Sequence, residues 1–202
     1  VRAILLFYLT PIWGTILARI YLSEPITPQR FFAIAVATIG ALTIFGLGVQ
    51  FPVPRNLGDW MGLGAGMLWA VASLRINIFK EYSANEITLV FFFWSLFFSV
   101  LVALIFAPSY APSFEQTQPV IPLVFIFMIL LILPGTFATF WGPKFLSPGV
   151  VGLLLMTEIV AGSISVALLS GEAFGLREVI GVLLITGASI IEPCYTLIRQ
   201  KH

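Results

Sequence analysis

Glu158 is the residue of this sequence whose placement most needs a chemical explanation. It stands between Val150-Val151-Gly152-Leu153-Leu154-Leu155-Met156 and Ile159-Val160-Ala161-Gly162, with Thr157 beside it and no other charge in the run. A carboxylate in the middle of a membrane-spanning stretch costs roughly 2.5–3.5 kcal/mol on insertion scales, so it needs a partner, a proton or a water-filled cavity. Lining a cavity is the favoured reading, because an ionisable group at that depth is functional by default. Such a carboxyl can carry a proton or accept a substrate amine. The plain alternative is a protonated carboxyl bonded to a neighbouring helix.

Thr10-Pro11 occupies the corresponding place near the N-terminus, flanked by Tyr8 and Trp13. Proline removes one helical hydrogen bond and frees a carbonyl in mid-span, which bends a helix toward a cavity or toward a packing neighbour. Pro134-Gly135 has the same two readings and would make a hinge. Trp69 and Trp94 lie deep in apolar runs, where an indole N–H needs a partner, so either can line a solute path. Aromatics facing lipid or core are the commoner case. Ser73, Asn77 and Ser95 share those helices and serve as ligands or as inter-helix bonds. Arg75 lies five residues before Lys80 and reads as a side chain snorkelling to the surface; facing inward, it would bind a carboxylate. Arg19 poses the same question beside Glu24. Glu24 and Glu172 fall in short turns and read as turn-bonding groups. Gly62-Leu63-Gly64-Ala65-Gly66 holds a GxxxG pattern, and with Gly40, Gly181 and Gly187 these small residues admit close helix approach.

The elements that must carry these groups are membrane helices. Hydrophobic residues make up 59% of the 202-residue chain and charged residues 9%. With a mean hydropathy of +1.06, that composition lies far outside soluble domains. A net charge of +1 offers no basic field for nucleic acid. One cysteine, Cys194, and one histidine, His202, exclude a disulfide framework and argue against a His/Cys metal site. No cofactor is implied, and no G-x-x-x-x-G-K-[ST] loop is present to bind a nucleotide.

Seven segments reach the roughly 17 to 25 apolar residues that a spanning helix needs. They run over Ala3–Leu22, Phe31–Val49, Trp60–Phe79, Ile87–Ala107, Val120–Phe140, Gly149–Ser170 and Val179–Ile198. They are apolar nearly all round, which excludes alternating β-barrel strands. Arg30, Lys80, Lys144, Arg199 and Lys201 collect on one face, against Arg2, Arg55 and Arg177 on the other. The positive-inside rule therefore predicts a cytoplasmic C-terminus in a cytoplasmic (inner or plasma) membrane. No signal-peptide pattern precedes the first run, and Val1 reads as a cut with more chain expected upstream.

A pattern is written twice, about 148 residues apart. Leu9-Thr10-Pro11-Ile12-Trp13-Gly14, Ser23-Glu24-Pro25 and Ile39-Gly40-Ala41 are matched by Thr157-Glu158-Ile159-Val160-Ala161-Gly162, Gly171-Glu172-Ala173 and Thr186-Gly187-Ala188. Gly14 falls on Gly162 and Glu24 on Glu172, while the Gly-Ala pairs are one residue out of step. With three spans between the copies, corresponding helices run in opposite directions, the pattern of an inverted-topology repeat.

These residues resemble the drug/metabolite transporter superfamily, specifically its EamA-type ten-helix members. The resemblance rests on Thr10-Pro11, Glu24 and Gly40, on Glu158, Gly171-Glu172, Gly181 and Gly187, and on Gly58-Asp59-Trp60 leading to Leu68-Trp69-Ala70. It covers nearly the whole chain, in short motifs. Two departures stand out: Ile159 where the family often has proline, and the absence of three opening helices. The resemblance implies an all-α polytopic membrane helix bundle of inverted five-helix repeats, the first incomplete. Residues 1–49 would be the last two helices of that first repeat and 50–59 a linker. Residues 60–198 would form the complete second repeat, and 199–202 a cytoplasmic tail.

The function expected is a secondary carrier, not an enzyme. It would move a small organic metabolite by rocking one repeat against the other, with export of an amino-acid-like or drug-like solute preferred. Its partners would be membrane lipid and the solute, with protons as a candidate coupling ion and a homodimer compatible with the pattern. The competing class is a seven-helix sensor or a non-transporting scaffold. The last span, however, lacks a retinal lysine, and the repeat has no role in that reading.

Overall fold

A computed structural model describes residues 2–45, 53–106, 113–170 and 175–199, and every regular element among them is helical. The chain divides into two units: Val1–Asn77 with Leu146–His202, and Ile78–Phe145. Expectations for 50–52, for Gly171-Glu172 and for 200–202 fall outside the described residues.

Among the described residues six helices are long and apolar enough to cross a membrane: Ala3–Tyr21, Pro28–Phe45, Leu57–Ile78, Ala84–Ile105, Gln118–Lys144 and Pro148–Ser165. Each coincides with an expected span. The seventh, Val179–Ile198, falls within a 24-residue helix, Leu176–Arg199, whose side chains from Glu192 onward lie outside the described residues.

The first unit holds α1 (Arg2–Phe7), α2 (Thr10–Tyr21), α3 (Pro28–Phe45) and α4 (Leu57–Ile78, to Asn77). The second holds α5 (Ala84–Phe106), α6 (Phe114–Thr117), α7 (Ile121–Phe127) and α8 (Leu133–Trp141). The first unit resumes with α9 (Pro148–Leu155), α10 (Thr157–Ser170) and α11 (Leu176–Arg199). Its core is a seam between α3 and α11. Ala33, Ala37 and Ala41 recur every fourth residue on α3 and are buried with Ile44 against Ile185 and Ala188. A stripe of that period faces one way on a helix, and its small side chains let backbones approach. Gly40 and Gly181 are reciprocal: a Cβ on Gly40 would lie 2.9 Å from Gly181 O, and one on Gly181 2.8 Å from Gly40 O.

Side chains of the loops and first turns cap the helices. Asn56 Oδ1 accepts the Asp59 N–H at 2.8 Å, and Asp59 Oδ2 accepts the Arg55 N–H at 2.9 Å. Ser83 and Glu86 repeat the exchange at α5, at 3.2 and 2.7 Å. Reciprocal bonds of this kind satisfy donors that the first helical turn leaves open.

In the second unit, the proline of Pro134-Gly135 follows a π-type turn, Met128–Ile132, that widens the helix just before it. Such a turn is a recognised means of accommodating a residue that cannot complete the regular ladder. Phe91 meets Phe140 edge-on with ring centroids 5.1 Å apart, which joins α5 to α8.

Candidate functional site

Both Glu158 and Thr10-Pro11 sit at places where a long apolar helix breaks, and the two breaks are made in the same way. Pro11 has no N–H to offer Phe7 O, the carbonyl four residues back. The Thr10 hydroxyl supplies the missing donor, 2.5 Å from Phe7 O. The helix tightens on either side: Leu9 N–H bonds Leu6 O at 3.3 Å and Ile12 N–H bonds Leu9 O at 3.0 Å. In the second broken helix, Met156 N–H bonds Leu153 O at 3.2 Å and Ile159 N–H bonds Met156 O at 3.1 Å. Thr157 Oγ1 donates to Leu154 O at 2.6 Å. All three bonds of the first break recur 147 residues on.

That register differs by one residue from the match of Gly14 with Gly162. It pairs Thr10 with Thr157, Pro11 with Glu158, and Gly40-Ala41 with Gly187-Ala188. Burial follows it: Leu6 and Leu153 are both buried, as are Leu9 and Met156. The earlier pairing of Thr10-Pro11 with Glu158-Ile159 is corrected accordingly, because hydrogen bonds fix a register that scattered glycines only approximate.

The two broken helices run antiparallel. Gly14 lies against Pro148, whereas Gly152 lies against Pro11, so α9 is traversed backwards as α2 advances. At Gly152 an added Cβ would stand 2.7 Å from Pro11 Cα and 2.8 Å from Pro11 N. Across this crossing the Tyr8 hydroxyl donates to Glu158 Oε2 at 3.3 Å. Tyr8 is half-buried and Glu158 is exposed. Among the described residues no cation pairs with Glu158. The breaks also release carbonyls: Ile12 and Ile159 bond three residues back, so Tyr8 O and Leu155 O lose their regular helical donors.

Helix α4 approaches the first break through two of its glycines. Gly62 lies against Ala3 O, and a Cβ on Gly66 would stand 2.5 Å from Phe7 O. Thr10 Oγ1 also lies 3.4 Å from Gly66 O. Gly64, between them, meets nothing within 4 Å, and neither does Gly187 or Gly135. Close approach, expected of Gly64 and Gly187 as of the others, belongs to the glycines on the contact face alone.

The remaining candidates are spread more widely. Ser73 is buried on α4, and Asn77 Nδ2 donates to Leu146 O at 3.1 Å. Trp69 is half-buried in the first unit. Trp94 belongs to the second, stacked on Phe98 at 5.7 Å. Arg75 and Arg19 are exposed. Three buried polar atoms have no hydrogen-bond partner among the described residues: Trp13 Nε1, Thr15 Oγ1 and Ser73 Oγ.

Sequence reasoning missed Arg30 as a structural centre, counting it only as a marker of one face. It is 7% exposed, its guanidinium 3.1 Å from Glu24 Oε2 and 3.1 Å from Ser147 Oγ. It clasps the α2–α3 turn to the start of α9, and Glu24 takes Arg30 rather than Arg19. Ser189 was missed as well: its buried hydroxyl reaches Leu153 O at 3.0 Å and Ile185 O at 2.9 Å.

No family model matches the chain, and no curated protein matches it either. It does superpose on a solved crystal structure, described simply as that of a protein, with a TM-score of 0.70 at 20% identity. The match covers 95% of this chain and 68% of the other. The chain thus shares the helical fold of a protein known experimentally.

Proposed function

We propose that this chain is an integral membrane secondary carrier that moves a small organic metabolite by alternating access between two inverted repeats. The observation that carries the reading is the pair of helix breaks, bonded alike 147 residues apart on antiparallel helices. Discontinuous helices meeting at the interface of inverted repeats are how secondary transporters build a site in mid-membrane. The large exposed apolar surface supports a lipid environment. Only Ala84 and Thr88 are buried in Ala84–Ile105, and only Phe140 and Pro143 in Gln118–Lys144, which leaves more apolar surface than a protein in water sustains. In this reading the basic face carrying Lys80 and Lys144 is cytoplasmic, in a cytoplasmic membrane, and the membership suggested by sequence is the EamA type.

Glu158 and Tyr8 are the groups that meet the solute or its coupling proton, with Thr157, Thr10 and Pro11 shaping the backbone around them. Export of an amino-acid-like or drug-like solute is the preferred direction. The test is flux of a labelled solute panel in proteoliposomes, comparing the native chain with Glu158→Gln and with Glu115→Gln as an exposed control. Loss of flux in Glu158→Gln alone is expected. Unchanged flux in that variant for every solute carried removes Glu158 from the mechanism.

A further inference from the structure

We infer that the crossing of the two broken helices is a binding site for a small monovalent cation, either an alkali ion or the ammonium group of an amine. The inference rests on the carrier reading, in which the breaks line the solute path.

The two breaks carry several oxygens: the Glu158 carboxyl, the Tyr8 hydroxyl and the carbonyls released by the breaks. Glu158 brings a carboxyl group, and no cation pairs with it among the described residues. One of its oxygens is held by the Tyr8 hydroxyl at 3.3 Å. The other has no bond recorded to any described residue. A mid-span carboxylate in that condition faces water or a ligand, since lipid exposure is too costly. The break geometry adds neutral acceptors. Tyr8 O and Leu155 O have lost the donors of a regular helix, because Ile12 and Ile159 turn to Leu9 O and Met156 O. The neighbouring Phe7 O and Leu154 O, by contrast, are occupied by the threonine hydroxyls at 2.5 and 2.6 Å. Each break therefore keeps one carbonyl closed and leaves the next one open.

Hard oxygen donors with a single negative charge suit a monovalent cation better than a transition metal, and no group of three His, Cys, Asp or Glu is present among the described residues. Unwound backbone carbonyls at paired helix breaks are a known means of holding such ions within a membrane protein. An ammonium group finds the same acceptors, donating to the carboxylate and to the open carbonyls. A quaternary ammonium has no N–H to donate and is too large to be an alkali ion.

The experiment is thermal unfolding of the purified chain in detergent, titrated separately with sodium, potassium, methylammonium and tetramethylammonium chloride at constant ionic strength. The inference expects a saturable rise in Tm with at least one of the first three and none with tetramethylammonium. Sodium or potassium alone identifies an alkali-ion site, and methylammonium alone identifies an amine site. Glu158→Gln should abolish the rise, while Glu115→Gln should keep it. Tyr8→Phe, which retains the carboxylate and removes only a donor to it, should keep a saturable rise. Equal shifts in all four salts, or a rise that survives in Glu158→Gln, overturn the inference. Because binding is read without flux, a bound cation with no transport refutes the carrier reading alone, and transport with no cation effect refutes this inference alone.

Discussion

Gly66→Ala tests whether α4 touches the first helix break as closely as the coordinates require. The added Cβ would stand 2.5 Å from Phe7 O and 3.1 Å from Thr10 Oγ1, against about 3.4 Å for the nearest ordinary contact. Phe7 O cannot swing aside without losing the Thr10 hydroxyl, which lies 2.5 Å from it. The helices must therefore part by about 0.9 Å, and a gap of that size forfeits a quarter to a half of each contact it opens. Overpacking on this scale costs about 1–3 kcal/mol, partly offset by the roughly 1 kcal/mol that alanine gains over glycine in a helix. Gly64→Ala supplies the control on the same helix, because its Cβ meets nothing within 4 Å and it keeps the propensity gain. The propensity gain is common to both, so the two variants should differ by about 1–3 kcal/mol, with Gly62→Ala behaving like Gly66→Ala because it abuts Ala3 O. Reversible unfolding in mixed detergent micelles, followed by tryptophan fluorescence, measures the difference. If Gly66→Ala and Gly64→Ala agree within about 0.5 kcal/mol, α4 does not pack on the break through this face.

Two further perturbations read the same unit. Thr10→Val and Thr157→Val should each cost about 1 kcal/mol, since each leaves a released carbonyl without its hydroxyl donor. Thr139→Val, whose hydroxyl bonds Gly135 O at 2.8 Å from within a regular helical stretch, should cost much less. Equal losses at all three sites in the same unfolding assay would deny the breaks any special need for threonine. At the clasp, Glu24→Gln should destabilise by about 1–2 kcal/mol, because it replaces a charge-assisted bond to the buried Arg30 guanidinium with a neutral one. A double-mutant cycle with Arg30→Gln should give a coupling of at least about 1 kcal/mol, and a coupling near zero would show that the clasp contributes nothing.

The long apolar helices were legible in the sequence because hydropathy and length are local properties, and six of the expected segments reappear as such helices among the described residues, with shifts of a few residues at their ends. The first break was legible for a covalent reason, the missing N–H of Pro11. The second was not, since Leu155-Met156-Thr157 contains neither proline nor glycine and breaks through how it is bonded in the fold. Gly62, Gly64 and Gly66 are one residue type on one helix, and only the arrival of α1 on one face separates the two in contact from the one in open space. Arg30 was misread for a similar reason. Its charge marked a side of the membrane, but its burial depends on Ser147, which is 117 residues away in the chain. The caps at Asn56-x-x-Asp59 and Ser83-x-x-Glu86 carry a readable spacing, and closer attention to polar residues at helix starts would have found them.

The one-residue change of register alters what the asymmetry between the copies means. With Pro11 matched to Glu158, the same backbone position carries a residue that cannot donate an N–H in one copy and an ionisable side chain in the other. The backbone outcome is the same at both: a helix that ends and restarts within a turn, with a threonine hydroxyl closing one carbonyl and the next left open. Proline enforces that outcome covalently but contributes no polar side chain. In the second helix the break persists without proline, so the position is free to carry a carboxylate. Contact between the helices binds the two choices together: Gly152, four residues before Met156, is the residue whose missing side chain admits Pro11. Filling Gly152 would push Pro11 away, and Tyr8, three residues before it on the same strand of backbone, would move with respect to Glu158. Pro11 therefore helps to position Tyr8, the hydrogen-bond partner of Glu158, so that the packing of one break is coupled to the polar group of the other.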